Sequence, residues 1–185
     1  NRYVANLLAM TQLDAGALSP KREPCDLHDL VGAALRRCAK ALAQHKVKLS
    51  IPANLPLLAL DDVLMEQVLA NLLDNAAKYT PAGSTVEIAA AHYKFSLVIT
   101  VRDEGPGIPE EDLRRVFEPF EQVKHLRYSE VGGTGLGLAI CRGFVEAMGG
   151  RIYARNRAGE GSHGAEFVIE FSPDAIAERP RTEVA

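Results

Sequence analysis

Two strand-like stretches with a single residue between them narrow the fold most. "STVEIAAAHY" and "FSLVITVRD" are separated only by Lys94. Phe95, Leu97, Ile99 and Val101 recur every second residue, the pattern of a strand with one buried face. A second pair, "RIYARNR" and "AEFVIEFS", lies near the end of the chain. Helical patterns stand around these pairs. Asp26 is placed to cap a helix to about Ala43, with Leu27, Leu30, Val31, Ala34, Leu35, Cys38 and Leu42 inward. Asp61 or Asp62 caps another, with Leu64, Val68, Leu72 and Leu73 on its stripe. That helix stops at "KYTPAG", where Pro81 and Gly83 break it. Thr134 caps a third, from Gly135 to Met148. Sequence-adjacent strand pairs interleaved with helices favour an α+β fold, a two-layer α/β sandwich. Its sheet is mixed, mostly antiparallel, and covered on one face by three helices.

The remaining segments are simpler. "RYVANLLAMTQLDAG" places Val4, Leu7, Leu8 and Leu13 on one helical stripe, with Gly16 as the stop. Little nearby could cover that stripe, so its partner is expected outside this chain. "LSPKREP" is a linker, "KVKLSI" a strand, and Pro52 to Pro56 a turn. Pro109 starts a short helix through Val116. Residues 118 to 133 have no period and are expected to be a mobile loop. From Asp174 onward a charged tail, residues 174–185, is expected to be disordered. The net charge of −3 over 185 residues is evenly mixed, which leaves no nucleic-acid footprint and no polybasic membrane segment. Cys25, Cys38 and Cys141 have no metal-ligand spacing and read as reduced thiols. No apolar run approaches the roughly 18 residues of a membrane helix. The chain begins without Met, and its start reads as a cut within a longer protein.

"GGTGLGLAICRGF" (Gly132–Phe144) places four glycines just where a helix should start, at an entropic cost. Backbone must come close to something there. The spacing Gly133-x-Gly135-x-Gly137 is neither the nucleotide-triphosphatase loop nor the dinucleotide fingerprint. On its own it is compatible with a tight helix start. Two other stretches add weight to a phosphate reading. "DEGPGI" (Asp103–Ile108) sets an acid and two glycines at a strand end. "NLLDNAAKY" puts Asn71, Asn75 and Lys78 at i, i+4 and i+7, one face of a helix whose other side is apolar. An Asn carbonyl can ligate Mg2+, and Lys is a point charge for phosphate.

Together these stretches resemble the ATP-binding domain of sensor histidine kinases, within the gyrase, Hsp90, histidine kinase and MutL superfamily (the Bergerat ATP-binding fold). The family's N, G1, F and G2 boxes and last glycine-rich entry match Asn71–Tyr79, Asp103–Ile108, "FEPF" (Phe117–Phe120), Gly132–Leu138 and "GEGSHG" (Gly159–Gly164). The match spans roughly residues 60 to 172 in the family's order. "NLLAMTQLDAGAL" resembles the second helix of the family's dimerisation and phosphotransfer hairpin. The resemblance therefore divides the chain into the end of that hairpin (1–18), a catalytic ATP-binding domain (19–173) and the tail. Within the family the likeness is greatest to the potassium-responsive sensor kinases. One departure is Ala165, where the family has a small hydroxyl residue; a pocket-wall position there implies little effect.

The resemblance implies roles. Asp103 accepts the adenine N6 amino group, which fits an acceptor-only carboxylate and implies ATP over GTP. Gly105 and Gly107 let backbone approach the base, and Ile108 and Tyr79 line its slot. Asn75 ligates Mg2+. Asn71 and Lys78 act at the phosphates and are the catalytic candidates. Gly133, Thr134, Gly135, Leu136, Gly137 and Leu138 wrap the triphosphate at a helix N-terminus. Residues 109 to 131 form an ATP lid anchored on the sheet by Phe117 and Phe120. The γ-phosphoryl passes to a histidine on the hairpin, then to an aspartate of a response regulator receiver domain. None of His28, His45, His92, His125 and His163 has the acceptor's context, so the acceptor lies upstream of Asn1. The whole protein is implied to be a homodimeric bacterial kinase anchored in the inner membrane, with this part cytoplasmic and the membrane reached only through the missing upstream region. Hydrolases of the superfamily place a glutamate base where Asn71 stands, and an amide takes no proton. Transfer is thus favoured over hydrolysis, with a non-catalytic nucleotide-binding module as the further alternative.

Overall fold

The computed structural model describes residues 2–121, 134–157 and 163–177. Their helices are α1 (Arg2–Asp14), α2 (Leu27–Cys38), α3 (Asp62–Tyr79) and α4 (Gly137–Ala147). The strands are β1 (Glu23–Cys25), β2 (Lys46–Ser50), β3 (Leu58–Leu60), β4 (Thr85–Tyr93), β5 (Ser96–Arg102), β6 (Gly150–Asn156) and β7 (Ala165–Phe171). Five strands make one sheet in the order β2-β4-β5-β7-β6. Only the β2–β4 pairing is parallel. The two hairpins read from sequence are β4–β5 and β6–β7, joined through β5–β7.

One face of the sheet is the core. Val86, Ile88, Leu97, Ile99, Val101, Ile169 and Phe171 are each at most 1% exposed. Val31, Ala34, Met65, Val68, Leu69, Leu72, Leu73, Ile140 and Val145 of α2, α3 and α4 are buried as deeply, in the same cluster. Removing these side chains from water stabilises the sandwich by about 1.5–3 kcal/mol each before chain entropy is charged. Asp61 is the N-cap of α3, its Oδ1 accepting from the Leu64 N–H at 3.0 Å.

The other face carries one charged row across all five strands. Lys48, Glu87, Arg102, Glu166 and Arg155 are successive cross-strand partners. Lys48 Nζ lies 2.8 Å from Glu87, Arg102 reaches Glu87 at 3.3 Å and Glu166 at 2.5 Å, and Arg155 pairs with the other Glu166 oxygen. Alternating signs at directly opposed positions favour this register over any slipped one.

The structure corrects several expectations. β1 and β3 form a small antiparallel sheet, β1 at the end of the expected linker and β3 just after the expected turn. The tail is not free at its start: Pro173–Ala175 is a 3-10 turn, Ile176 bridges Leu58, and the Ala177 N–H donates to the Leu57 carbonyl. Helix α2 stops at Cys38, and a 3-10 turn covers Ala41–Gln44. Two 3-10 turns, Glu110–Asp112 and Arg115–Phe117, replace the short helix after Pro109. Phe95 is 74% exposed, because Tyr93 pairs with Ser96 and leaves Lys94 and Phe95 to make the turn. Helix α1 is not wholly uncovered. Ala9 is buried, and Leu13 Cδ1 sits 2.5 Å from where a Cβ on Gly143 of α4 would lie. Leu7 and Leu8 stay exposed. No described helix is long and apolar enough to cross a membrane.

Hydrogen bonding to Lys48 leads the effects that lower the Glu87 pKa from 4.5 to about 2. Its contribution is therefore complete above the ordinary carboxylate value and lost as pH falls through the folded one. Glu87→Gln should flatten the fall in thermal midpoint between about pH 5 and pH 2. A melting series over that range checks this; a variant that loses stability on acidification as steeply as the parent contradicts it.

Candidate functional site

Asp103 follows directly on β5 and is 6% exposed. Its Oδ1 accepts two backbone N–H groups, from Gly105 at 2.8 Å and Ala165 at 3.1 Å. Its own N–H donates to the Ala165 carbonyl at 3.0 Å, so β7 holds it from both sides. Burial pushes its carboxyl pKa up, and the two amides and Arg157 only partly offset that. Among the described residues Oδ2 has no hydrogen-bond partner. The carboxylate is thus fixed by one oxygen and offers the other.

It faces a cavity lined by Asn75, Tyr79, Pro106, Gly107, Ile108, Val116, Glu121, Leu138, Ala165 and Phe167. The cavity holds about 610 Å³ of empty space, including its open mouth. A largely apolar slot with one convergent polar group is the usual form of a small-ligand site. Phe117 backs the wall, edge-on to Phe167 at 6.2 Å.

Six of the sequence-derived residues line this one cavity: Asn75, Tyr79, Asp103, Gly107, Ile108 and Leu138. The others surround it. Gly105 packs where a Cβ would lie 2.8 Å from the Tyr79 carbonyl and 2.9 Å from Asp103 Oδ1. Lys78 turns its ammonium over the Tyr79 ring at 4.7 Å. Asn71 is 5% exposed, and its Nδ2 donates to the Gly137 carbonyl at 3.4 Å, tying α3 to the first turn of α4. Asn71 does not line the Asp103 cavity; it lines a separate groove between α2 and α3, with Arg37, Lys40 and Asp74. Thr134 Oγ1 accepts from the Leu136 N–H at 3.3 Å, and Leu136 is buried. Gly133 and most of the lid lie outside the described residues.

The glycine run divides in two. Gly135 has φ +69°, and a Cβ on it would meet the Phe120 backbone at 2.7 Å. That left-handed residue is why α4 starts at Gly137 and not at Gly135. Gly137 is different: a Cβ there meets nothing within 4 Å among the described residues. The fold itself does not demand a glycine at 137. Phe120 also corrects an expectation. It is 71% exposed at φ 65°, so Phe117 alone of the pair anchors on the sheet.

Sequence reasoning missed Val116, Glu121 and Phe167 as wall residues, and Asn156 and Arg157 behind the loop. Asn156 holds Ile108 by two bonds, and Arg157 Nη1 donates to the Asp103 carbonyl. Nothing local in "RNR" signals this, because the contacts cross about fifty residues of chain. A metal would find few protein ligands. No group of three His, Cys, Asp or Glu side chains is gathered among the described residues. Asn75 lines the cavity, and among the described residues its amide has no hydrogen-bond partner, which suits Mg2+, an ion that takes few protein oxygens beside phosphates and water.

Fold and cavity together define a nucleotide-site α+β sandwich, and comparison with known proteins agrees. The chain belongs to the histidine kinase-, DNA gyrase B- and HSP90-like ATPase family, whose model matches residues 60–175. It is a catalytic domain of the sensor histidine kinase type. The sensor protein KdpD of Clostridium acetobutylicum is 41% identical over 166 residues, 90% of this chain but 18% of that protein. The adaptive-response sensory kinase SasA of Prochlorococcus marinus is 44% identical over 118 residues, covering 63% of this chain and 30% of the kinase. The chain thus spans a small part of these relatives. Among solved structures, the mycobacterial sensor histidine kinase MprB superposes with TM-score 0.72 at 26% identity, over 81% of this chain and 97% of that one. Full-length ShkA in complex with AMPPNP gives TM-score 0.80 at 29% identity, over 96% of this chain and 36% of that one.

Gly164 has φ +122°, and a Cβ on it would strike the Asp103 carbonyl. Gly164→Ala should therefore cost about 1–3 kcal/mol, whereas Gly137→Ala should leave stability unchanged or slightly raised. Urea unfolding of the two variants checks this, and equal losses would contradict it.

Proposed function

We propose that this chain binds Mg-ATP in the Asp103 cavity and transfers the γ-phosphoryl to a histidine on a separate dimerisation hairpin. The observation that carries the reading is the buried Asp103 carboxylate, fixed through Oδ1 by two backbone amides and open through Oδ2. Adenine presents an amino donor to such an acceptor, and guanine presents an oxygen. Tyr79, Ile108, Leu138 and Phe167 then close on the faces of the base.

The triphosphate lies toward the N-terminus of α4, where backbone N–H groups and the helix dipole favour anions. The space left open at Gly137 among the described residues supports this, since a phosphate can approach the backbone there. Lys78 neutralises phosphate charge and Asn75 holds Mg2+ through its carbonyl oxygen. The ion, when bound, offsets charge on the phosphate oxygens. Asn71 keeps α4 in register with α3. As an amide it cannot take a proton from water, so the site has no base at the position where a hydrolase needs one. In the transfer, an imidazole nitrogen forms a bond to the γ-phosphorus and the bridging bond to ADP breaks, leaving its charge on the β-phosphate. The exposed His28, which caps no phosphate and leans on the Pro52 carbonyl at 3.3 Å, is not that acceptor. Relay to a response regulator aspartate, a potassium-linked signal and an inner-membrane anchor upstream belong to the same proposal, supported by the kinship to KdpD.

The test mixes this chain with γ-labelled ATP, Mg2+ and a hairpin bearing the acceptor histidine. Label should move to the hairpin and be lost with Asn75→Ala. Gly137→Ala should weaken ATP binding at least about tenfold, the effect of about 1.4 kcal/mol, without lowering the melting temperature. Label released only as free phosphate would instead mark a hydrolase, and ATP binding without any transfer a nucleotide-binding module.

A further inference from the structure

We infer that Asn156 and Arg157, at the end of β6, are positioning residues that set how well Asp103 discriminates the base. This role rests on the ATP reading above. The adenine loop runs from Asp103 to Ile108 and has no regular structure of its own. It is gripped at both ends by two consecutive residues. At the far end, Asn156 Oδ1 accepts the Ile108 N–H at 2.8 Å, and Asn156 Nδ2 donates to the Ile108 carbonyl at 2.7 Å. This side-chain amide pairs with Ile108 as a neighbouring strand would. At the near end, Arg157 Nη1 donates to the Asp103 carbonyl at 3.2 Å. The Arg157 N–H also donates to the Gly164 carbonyl at 3.0 Å, which ties the grip to the turn under Asp103.

The loop has been shaped to receive this grip. A Cβ on Gly107 would lie 2.7 Å from Asn156 Oδ1, so a glycine there lets the amide reach the backbone. Gly107 also has φ +79°. Neither Asn156 nor Arg157 lines the cavity. They act on the ligand only through the place they give Ile108 and the Asp103 backbone. Selectivity by a single acceptor depends on where that acceptor stands, and a loose loop lets Asp103 retreat from an unmatched base. Release of the grip should therefore weaken ATP more than GTP.

Asn156→Asp separates the two bonds, because a carboxylate keeps the acceptor for the Ile108 N–H and loses the donor. Asn156→Ser and Arg157→Met serve as independent variants, and Arg157→Lys retains the cation. Calorimetric titration of each chain with ATP and with GTP, beside a thermal melt without nucleotide, reads the effect. The expected result is a three- to tenfold loss of ATP affinity, the size of one ordinary hydrogen bond. GTP affinity should change by less than twofold, the melting temperature should hold, and Arg157→Lys should recover most of the loss. ATP affinity within twofold of the parent in Asn156→Asp, Asn156→Ser and Arg157→Met would overturn the role. A parallel loss for both nucleotides with a lowered melting temperature would overturn it too, as plain destabilisation. Failure of the unsubstituted chain to bind ATP would overturn the ATP reading, and this role with it.

Discussion

A buried carboxylate held by two backbone amides is the constraint on which the site depends. Taking Asp103 out of water is unfavourable unless its charge is met by hydrogen bonds. One oxygen is met by the N–H groups of Gly105 and Ala165, and these come from different parts of the chain. The β5–β7 pairing is therefore a condition for the acceptor to exist. That pairing in turn needs the apolar face of both strands under the helices and the alternating charged row on the opposite face. Disturbing either would move the Ala165 donor away from Asp103, together with the Ala165 and Phe167 walls of the cavity.

The glycines follow from the same geometry. Gly105, Gly107 and Gly164 all crowd around Asp103 or the residue that grips its loop. Gly135 is required by a left-handed turn against Phe120. These four are accounted for by the protein's own packing. Gly137 is not, and it stands at the first turn of α4, facing open space. The run that looks uniform in sequence thus mixes residues demanded by the fold with one that the described packing leaves free, as the proposed phosphate site requires.

Much of this was legible in the sequence, for physical reasons. Alternation every two residues marked β4 and β5, and spacing every three or four marked α2 and α3, because each element buries a single face. The motifs name Asp103, Asn75, Tyr79, Ile108 and Leu138, and the fold brings all five to one cavity. Other features were hidden. The β1–β3 sheet is two three-residue strands with no period to detect. The hold on Ile176 by Leu58 and the burial of Leu13 against Gly143 are long-range contacts that composition does not encode. Phe120 shares a motif with Phe117, yet a left-handed backbone turns it outward. Asn156 and Arg157 carry no motif of their own, and their contacts with the Asp103–Ile108 loop appear only once β6 lies beside it.

The most direct test of the central claim compares ATP with inosine triphosphate, which replaces the 6-amino donor by an oxygen and keeps the triphosphate unchanged. Calorimetric titration of the chain with both, in Mg2+, isolates the bond to Asp103. The account predicts that inosine triphosphate binds at least about tenfold more weakly, since an acceptor would face the buried carboxylate. It also predicts that Asp103→Asn, whose amide can donate to that oxygen, closes the gap. Equal affinity of the unsubstituted chain for the two nucleotides would contradict the claim that Asp103 reads the base.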